Sequence, residues 1–428
     1  MARRKVDLLV LNAEELVTLK GGSKKPFTGK QMTNLGAIRH GGLAINNGKI
    51  VAIGKTPKIR SQFEGNQLID ASGKLVMPGF IDPHTHLVFA GSREKEFELR
   101  IKGASYLEIF RRGGGILQTV WETRKASLSQ LVEACEKTLD AMLAHGTTTV
   151  EAKSGYGLCL KDEIKILEAI KRLNRQHPIS IVPTFMGAHA VPQEYEGRAE
   201  DYVELVSDKM IPKIAEKKLA EFCDVFCEKG VFNLEQSRKI LQSGKKHGLK
   251  PKIHADELSQ LGGTELAAEV GAISAEHMLF SSEDGLKALA KHGTIAVLLP
   301  AASFSLMINR YAEARKIIAL NVPVALGTDY NPSCWVESMQ MVIAFACREL
   351  KMLPAEAITA TTINAAHAIG RAGELGSLEV GKRADIQILN VANHNFLGYR
   401  FGTNMVDMVI KNGVLVVEQG KILRKHLN

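Results

Sequence analysis

Met77-Pro78-Gly79-Phe80-Ile81-Asp82-Pro83-His84-Thr85-His86 carries an apolar run, begun at Leu75-Val76, into two histidines two residues apart. Side chains alternate along a strand with period two, so His84 and His86 project the same way at the strand's end. Two imidazoles converging at a strand terminus suit a transition metal. A bare His-x-His is more often a pair of surface histidines in a turn. Here the apolar lead-in, the Pro-Gly break and Asp82-Pro83 place the pair where a buried strand opens into a loop. The rest of the chain must then supply a third and a fourth ligand.

At 428 residues there is room for one large domain and a smaller one. With 45% hydrophobic and 24% charged residues the composition is that of an ordinary globular enzyme. The formal net charge of +9 is spread along the chain. No long basic run carries interleaved aromatics, so nucleic acid is not an expected partner. The diffuse charge serves solubility, or at most favours anionic small molecules. The basic Met1-Ala2-Arg3-Arg4-Lys5 leads into an apolar stretch too short for a signal-peptide core, and no segment has the length of a membrane span. A cytoplasmic chain is expected. The six cysteines (135, 159, 223, 227, 334, 347) are scattered and read as reduced thiols. Cys223-Asp224-Val225-Phe226-Cys227 has a metal-like look, but its strand-like context makes core thiols the better reading.

Residues 6–12 and 43–53 read as short strands, the second with a turn at Asn46-Asn47-Gly48-Lys49, and Gln67–Asp70 is extended. Near the other end 384–389 and 406–416 are again strand-like, with Asn412-Gly413 as a hairpin turn. Both termini are therefore expected in one small β-sandwich domain, from 1–74 and 375–428, flanking a large α/β domain at 75–374. Within that domain Leu131, Val132, Cys135, Leu139, Met142 and Leu143 share a helical face that ends at His145-Gly146. Thr147–Ala152 follows as a β-branched run, 161–177 as a helix and Ile179–Phe185 as a strand. Further apolar runs fall at 222–227, 249–254, 272–276, 294–299 and 322–327. About eight strand–helix units over roughly 300 residues is the rhythm of a (β/α)8 barrel. An open doubly wound sheet is the alternative, weakened because no glycine-rich dinucleotide loop follows the first strand. Gly113-Gly114-Gly115 reads equally as a lid or a plain turn.

Catalytic groups of a barrel sit where strands pass into loops. Those ends read His84 and His86, with Arg93 beyond; Glu151–Gly157, with Tyr156; Gly187-Ala188-His189; Lys252–Glu257, with His254; Ala275-Glu276-His277; and Leu326–Pro332, with Asp329. Any one alone reads as a capping or core residue. Their recurrence at one topological position does not.

His-x-His, a distant strand-end His and a last-strand Asp resemble the metal site of the amidohydrolase superfamily. Pro78–His86 running on through Leu87–Arg100 looks, more closely, like the imidazolonepropionases. So do Lys153–Gly157, Thr184–His189, His254–Glu257 and Gly327–Pro332, and the resemblance covers nearly the whole chain. It implies His84, His86, His254 and Asp329 as ligands of one zinc or iron ion, since Lys229 stands one or two residues late to bridge a second. It implies Glu257 as the proton shuttle, with His277 and Asp329 beside it in catalysis. Arg93 is implied as the clamp for a propanoate, and Tyr156, His189, Tyr106, Asn331 and Ser333 as further substrate contacts. The implied reaction opens the ring of 4-imidazolone-5-propanoate to N-formimidoyl-L-glutamate, in a homodimer. The chain departs from the family pattern at Ser333-Cys334-Trp335-Val336-Glu337-Ser338, where a small-residue run is usual. A deaminase of cyclic amidines or nucleobases is the alternative enzyme, and Arg93 argues against it because a nucleobase carries no carboxylate. A metal-free binding scaffold is the alternative outside enzymes, and the four filled ligand positions argue against it.

Overall fold

The computed structural model describes residues 2–103 and 114–423. The opening strands are β1 (Arg4–Leu16), β2 (Ile38–Asn46), β3 (Lys49–Lys55), β4 (Phe63–Asp70) and β5 (Leu75–Pro78). Asn47-Gly48 turns β2 into β3, both residues with positive φ, as a tight hairpin requires. Next come β6 (Phe80–Asp82), β7 (Thr147–Lys153), β8 (Ser180–Ala188), β9 (Phe222–Cys227), β10 (Lys250–Ala255), β11 (Ser274–His277), β12 (Ile295–Leu298) and β13 (Val324–Leu326). The chain closes with β14 (Ile386–Leu389), β15 (Val406–Lys411), β16 (Val414–Glu418) and β17 (Lys421–Ile422).

The first five and last four strands form one nine-stranded mixed sheet containing both ends of the chain. Its early and late strands share one core: Leu8, Val10, Leu43, Ile45 and Ile50 lie in a single buried cluster with Ile386, Ile388 and Ile410. The eight strands β6 to β13 pair in parallel and in chain order, giving a barrel. Between β13 and β6 the barrel is joined by the Thr85–Tyr330 bridge. Helices fill most crossovers. Leu128–Ala144 begins at a reciprocal Ser127–Gln130 capping box and buries Leu131, Val132, Cys135, Leu139, Met142 and Leu143. It ends as expected, with Gly146 at φ +92 turning the chain into β7. All six cysteines are free thiols, and Cys223 and Cys227 are buried in the core.

The opening run proves to be two strands. Leu75–Pro78 pairs with β1 and β14 in the mixed sheet, while Phe80–Asp82 pairs with β7 in the barrel. Gly79 makes the crossing: an added Cβ would lie 2.3 Å from Thr148 Cγ2. Among the described residues no helix is long and apolar enough to cross a membrane.

Candidate active site

β6 stops at Asp82, yet the next four residues stay extended because the ends of β13 and β7 hold them. His86 N donates to Tyr330 O (2.8 Å), Asp329 N to His84 O (3.1 Å) and Lys153 N to Thr85 O (2.9 Å). The period of two therefore persists past the strand, and both imidazoles face the barrel's mouth. His84 Nε2 lies 3.3 Å and His86 Nε2 3.6 Å from Asp329 Oδ1, and His254 Nε2 is 3.4 Å from His86 Nε2. The four residues are all buried. Asp329 is reached through a left-handed backbone, φ +53, which a non-glycine residue holds only when its surroundings enforce it. Here Asn331 Nδ2 donates to Asp329 O (2.7 Å), and Asp82 accepts from Thr328 N and Oγ1 (3.1 and 2.5 Å). Burial pushes the Asp82 carboxyl up to about 7 despite those bonds.

This donor set fits a divalent transition ion. One ligand atom from each of His84, His86 and Asp329 can lie within 4.8 Å of the others, and the same holds for His84, His254 and His277. His84 Nε2 is buried and, among the described residues, makes no hydrogen bond. Three imidazoles and a carboxylate suit zinc or iron. Burial works against a charge on His84, but Glu276 and Asp329 outweigh it and raise its pKa to about 9. Burial and the neighbouring histidines hold His86 well below the ordinary value, so it stays neutral. To hold a cation, His84 would have to give up a proton and His86 would not.

Beneath the histidines lies a layer of five charged residues, each fully buried: Glu151 and Lys153 from β7, Asp224 from β9, Lys252 from β10 and Glu276 from β11. Lys153 Nζ donates to Glu151 Oε1 (2.9 Å) and Asp224 Oδ2 (2.7 Å) and lies 2.9 Å from Glu276 Oε2. Lys252 Nζ lies 2.8 Å from Glu276 Oε1. Glu276 in turn meets His84 Nδ1, and Asp224 Oδ1 is 3.1 Å from His254 Nδ1. Sequence reasoning gave none of the five a role. The available signal was alternation: Glu151-x-Lys153 and Lys252-x-His254 put charges on one face of strands otherwise fit for a core, and charges there must pair.

The other expected residues are placed as follows. Glu257 Oε2 is 3.5 Å from His277 Nε2. Their loop is shaped by Asp256, which accepts from Leu261, Gly262 and Thr264 N, and by Glu228, which accepts from Leu258 N. Burial, with Asp329 and Glu228 nearby, pushes the Glu257 carboxyl up to about 8, while burial takes His277 down to about 3. His189 stacks on His86 with ring centroids 4.7 Å apart, and Tyr156 stands 5.2 Å from His189. Burial lowers His189 to about 3, and its Nδ1 donates to Gly155 O (3.2 Å), leaving Nε2 as an acceptor. Arg93 donates through Nε to Thr119 Oγ1 (2.9 Å) and through Nη1 to Ser333 Oγ (3.0 Å). Among the described residues it forms no ion pair, so the surface bridge to Glu94 or Glu96 that its neighbours allow is not made. Asn331 is engaged by its own loop, accepting from Ser333 N (2.8 Å). Lys229 is exposed. Tyr106 and Gly113 lie outside the described residues; Gly115 precedes the helix Ile116–Lys125, its N donating to Glu96 Oε1 (2.6 Å).

A parallel barrel with strand-end histidines and a last-strand aspartate defines a metal-assisted hydrolase, and the model of the amidohydrolase family matches residues 75–416. Imidazolonepropionase of Alkaliphilus metalliredigens (strain QYMF) is 51% identical over 421 residues, covering 98% of this chain and all of that one. Imidazolonepropionase of Geobacillus kaustophilus (strain HTA426) is 52% identical over 420 residues, 97% of this chain and 99% of that one. The chain belongs to the amidohydrolase family, in its imidazolonepropionase branch. Among solved structures, an adenosine deaminase from Xanthomonas campestris with bound zinc superimposes with a TM-score of 0.72 at 18% identity, over 99% of this chain and 95% of that one. An ochratoxinase from A. niger does so at 0.70 and 18%, over 98% and 97%. These two likenesses concern the fold.

Proposed function

We propose that the chain hydrolyses the cyclic amide bond of 4-imidazolone-5-propanoate to N-formimidoyl-L-glutamate, a step of histidine degradation. Identity of about half over nearly the full length with proteins of that name is the observation that carries the reading. His84, His86, His254 and Asp329 hold one zinc or iron ion. When bound, that ion acidifies water and polarises a carbonyl. Glu257 takes the attacking water's proton and delivers it to the departing ring nitrogen. Its raised affinity for protons suits both halves of that task. His277, neutral and 3.5 Å from Glu257, donates its one N–H toward the developing oxyanion. His189 and Tyr156 wall the ring, and Nε2 of His189 accepts from a ring N–H.

Arg93 takes the propanoate. Thr119 and Ser333 hold its guanidinium through uncharged hydroxyls, so its charge is not spent within the protein, and Nη2 carries no bond among the described residues. Ser333 thereby serves the substrate through Arg93.

Turnover of 4-imidazolone-5-propanoate in oxygen-18 water tests the reaction. One label in the new carboxylate of N-formimidoyl-L-glutamate is expected. Ammonia release with the ring intact contradicts it and assigns a deaminase.

A further inference from the structure

Asp224, His254 and Glu276 each offer an atom within 4.8 Å of the others, a second grouping capable of holding a cation, which shares His254 with the four proposed ligands. A cation already stands there. Lys153 Nζ is 2.7 Å from Asp224 Oδ2 and 2.9 Å from Glu276 Oε2, with Glu151 Oε1 as its third partner at 2.9 Å. We propose that Lys153 is a positioning residue whose ammonium serves as the built-in second cation of this site, confining the barrel to one metal and fixing two of that metal's histidines.

Position comes first. Lys153 is the last residue of β7, and Glu151 two residues earlier shares its face, so the strand itself sets the ammonium beside one carboxylate. β9 and β11 bring the other two. Three carboxylates against two ammoniums leave this layer with one net negative charge, carried wholly in the interior. Without Lys153 it would hold two more negative charges than the remaining lysine offsets, a strong invitation to a divalent ion.

The fixing follows from shared oxygens. Asp224 meets Lys153 through Oδ2 and His254 Nδ1 through Oδ1. Glu276 Oε2 meets both Lys153 and His84 Nδ1, while Lys252 holds Oε1. A carboxylate kept ionised by an ammonium is an acceptor only, so His254 presents Nδ1–H to Asp224, and His84 Nδ1 sits in ion-pair range of Glu276, which turns the Nε2 of each toward the metal. Those Nε2 atoms face the cluster of Asp329 and His86. Lys153 itself meets Glu151, Asp224 and Glu276 and none of the four proposed ligands.

The inference rests on the proposed metal site, and one titration separates the two. Cobalt(II) is added to the metal-free full-length chain and to Lys153→Met, recording stoichiometry, Kd and the visible d–d spectrum. The wild-type chain is expected to saturate at one ion. Lys153→Met is expected to bind at the first site ten- to a hundredfold more weakly, with an altered spectrum as His84 and His254 lose their fixed tautomers. Two ions on the wild-type chain overturn the proposal, and that result does not depend on the variant's folding. One ion on both, with Kd within threefold and superimposable spectra, overturns it while leaving the metal site intact. No ion on a folded wild-type chain overturns both.

Discussion

Glu257 carries the proton in the proposed reaction. Glu257→Gln is expected to keep the metal, because no ligand changes, and to lose turnover by about 10²–10⁴-fold; metal content and kcat on the same preparation check it. Its pH signature has a definite sign. A base must be ionised to accept a proton, so kcat/KM rises with pH through the Glu257 pKa, near 8 without a metal and lower beside a bound cation. In the glutamine variant that rising limb disappears. Arg93→Lys keeps the charge but not the planar fork, and should raise KM roughly ten- to a hundredfold, the worth of ~1.5–3 kcal/mol of charge-assisted bonding. An unchanged KM would remove Arg93 from the carboxylate end. Asn331 shows the limit of reading single residues. Its place in the motif pointed to substrate and gave no hint that its amide also closes its own loop and supports the left-handed Asp329. A side chain with both donor and acceptor finds local backbone partners readily, and no spacing in the sequence reveals which it takes.

At the scale of elements, strand ends do the positioning. The alternating runs and helical faces were legible because burial imposes periods of two and 3.6. His84 and His86 were legible for the same reason, although the strand proper stops at Asp82 and its extension is held by Tyr330 and Asp329. The crossing at Gly79 was not legible. Two strands laid end to end in different sheets are both apolar and read as one. The charged layer of Lys153, Lys252 and their carboxylates was hidden differently, since each charge alone resembles a strand edge and only β7, β9, β10 and β11 together show it buried. Gly155 gives a test here. Its φ is +113, and an added Cβ would lie 2.9 Å from Met186 O and 3.0 Å from His189 Nδ1. Gly155→Ala should cost ~1–3 kcal/mol in backbone strain and displace His189 from its stack on His86. Thermal unfolding and kcat/KM should fall together with the metal retained; a full kcat/KM would show that the position of His189 is unimportant.

Across the whole molecule, the mixed sheet is bolted to the floor of the barrel. Asp385, nearly buried, takes Lys411 Nζ (2.5 Å) and Arg383 Nη2 (2.8 Å), and both cations also reach Ser180 Oγ on β8. Burial opposes its charge, but Lys411 and Arg383 hold its carboxyl below the ordinary value. A carboxylate so depressed stabilises the fold above its unfolded pKa, and that contribution is lost as pH falls through the folded one. Asp385→Ala should therefore cost ~3–5 kcal/mol near neutrality, measured by denaturant unfolding, with less difference from wild type in acid. A bound metal adds its own linkage, ~4 kcal/mol when its free concentration is a thousand times Kd, so chelation should lower the unfolding temperature. The proposed reaction is tested by the loss of ring absorbance from 4-imidazolone-5-propanoate, with metal-replete and chelator-stripped protein side by side. Rapid loss is expected with the replete protein, none above background with the stripped protein, and recovery on adding zinc or iron. Equal rates in the two samples, or no turnover by a folded chain carrying its metal, would contradict it.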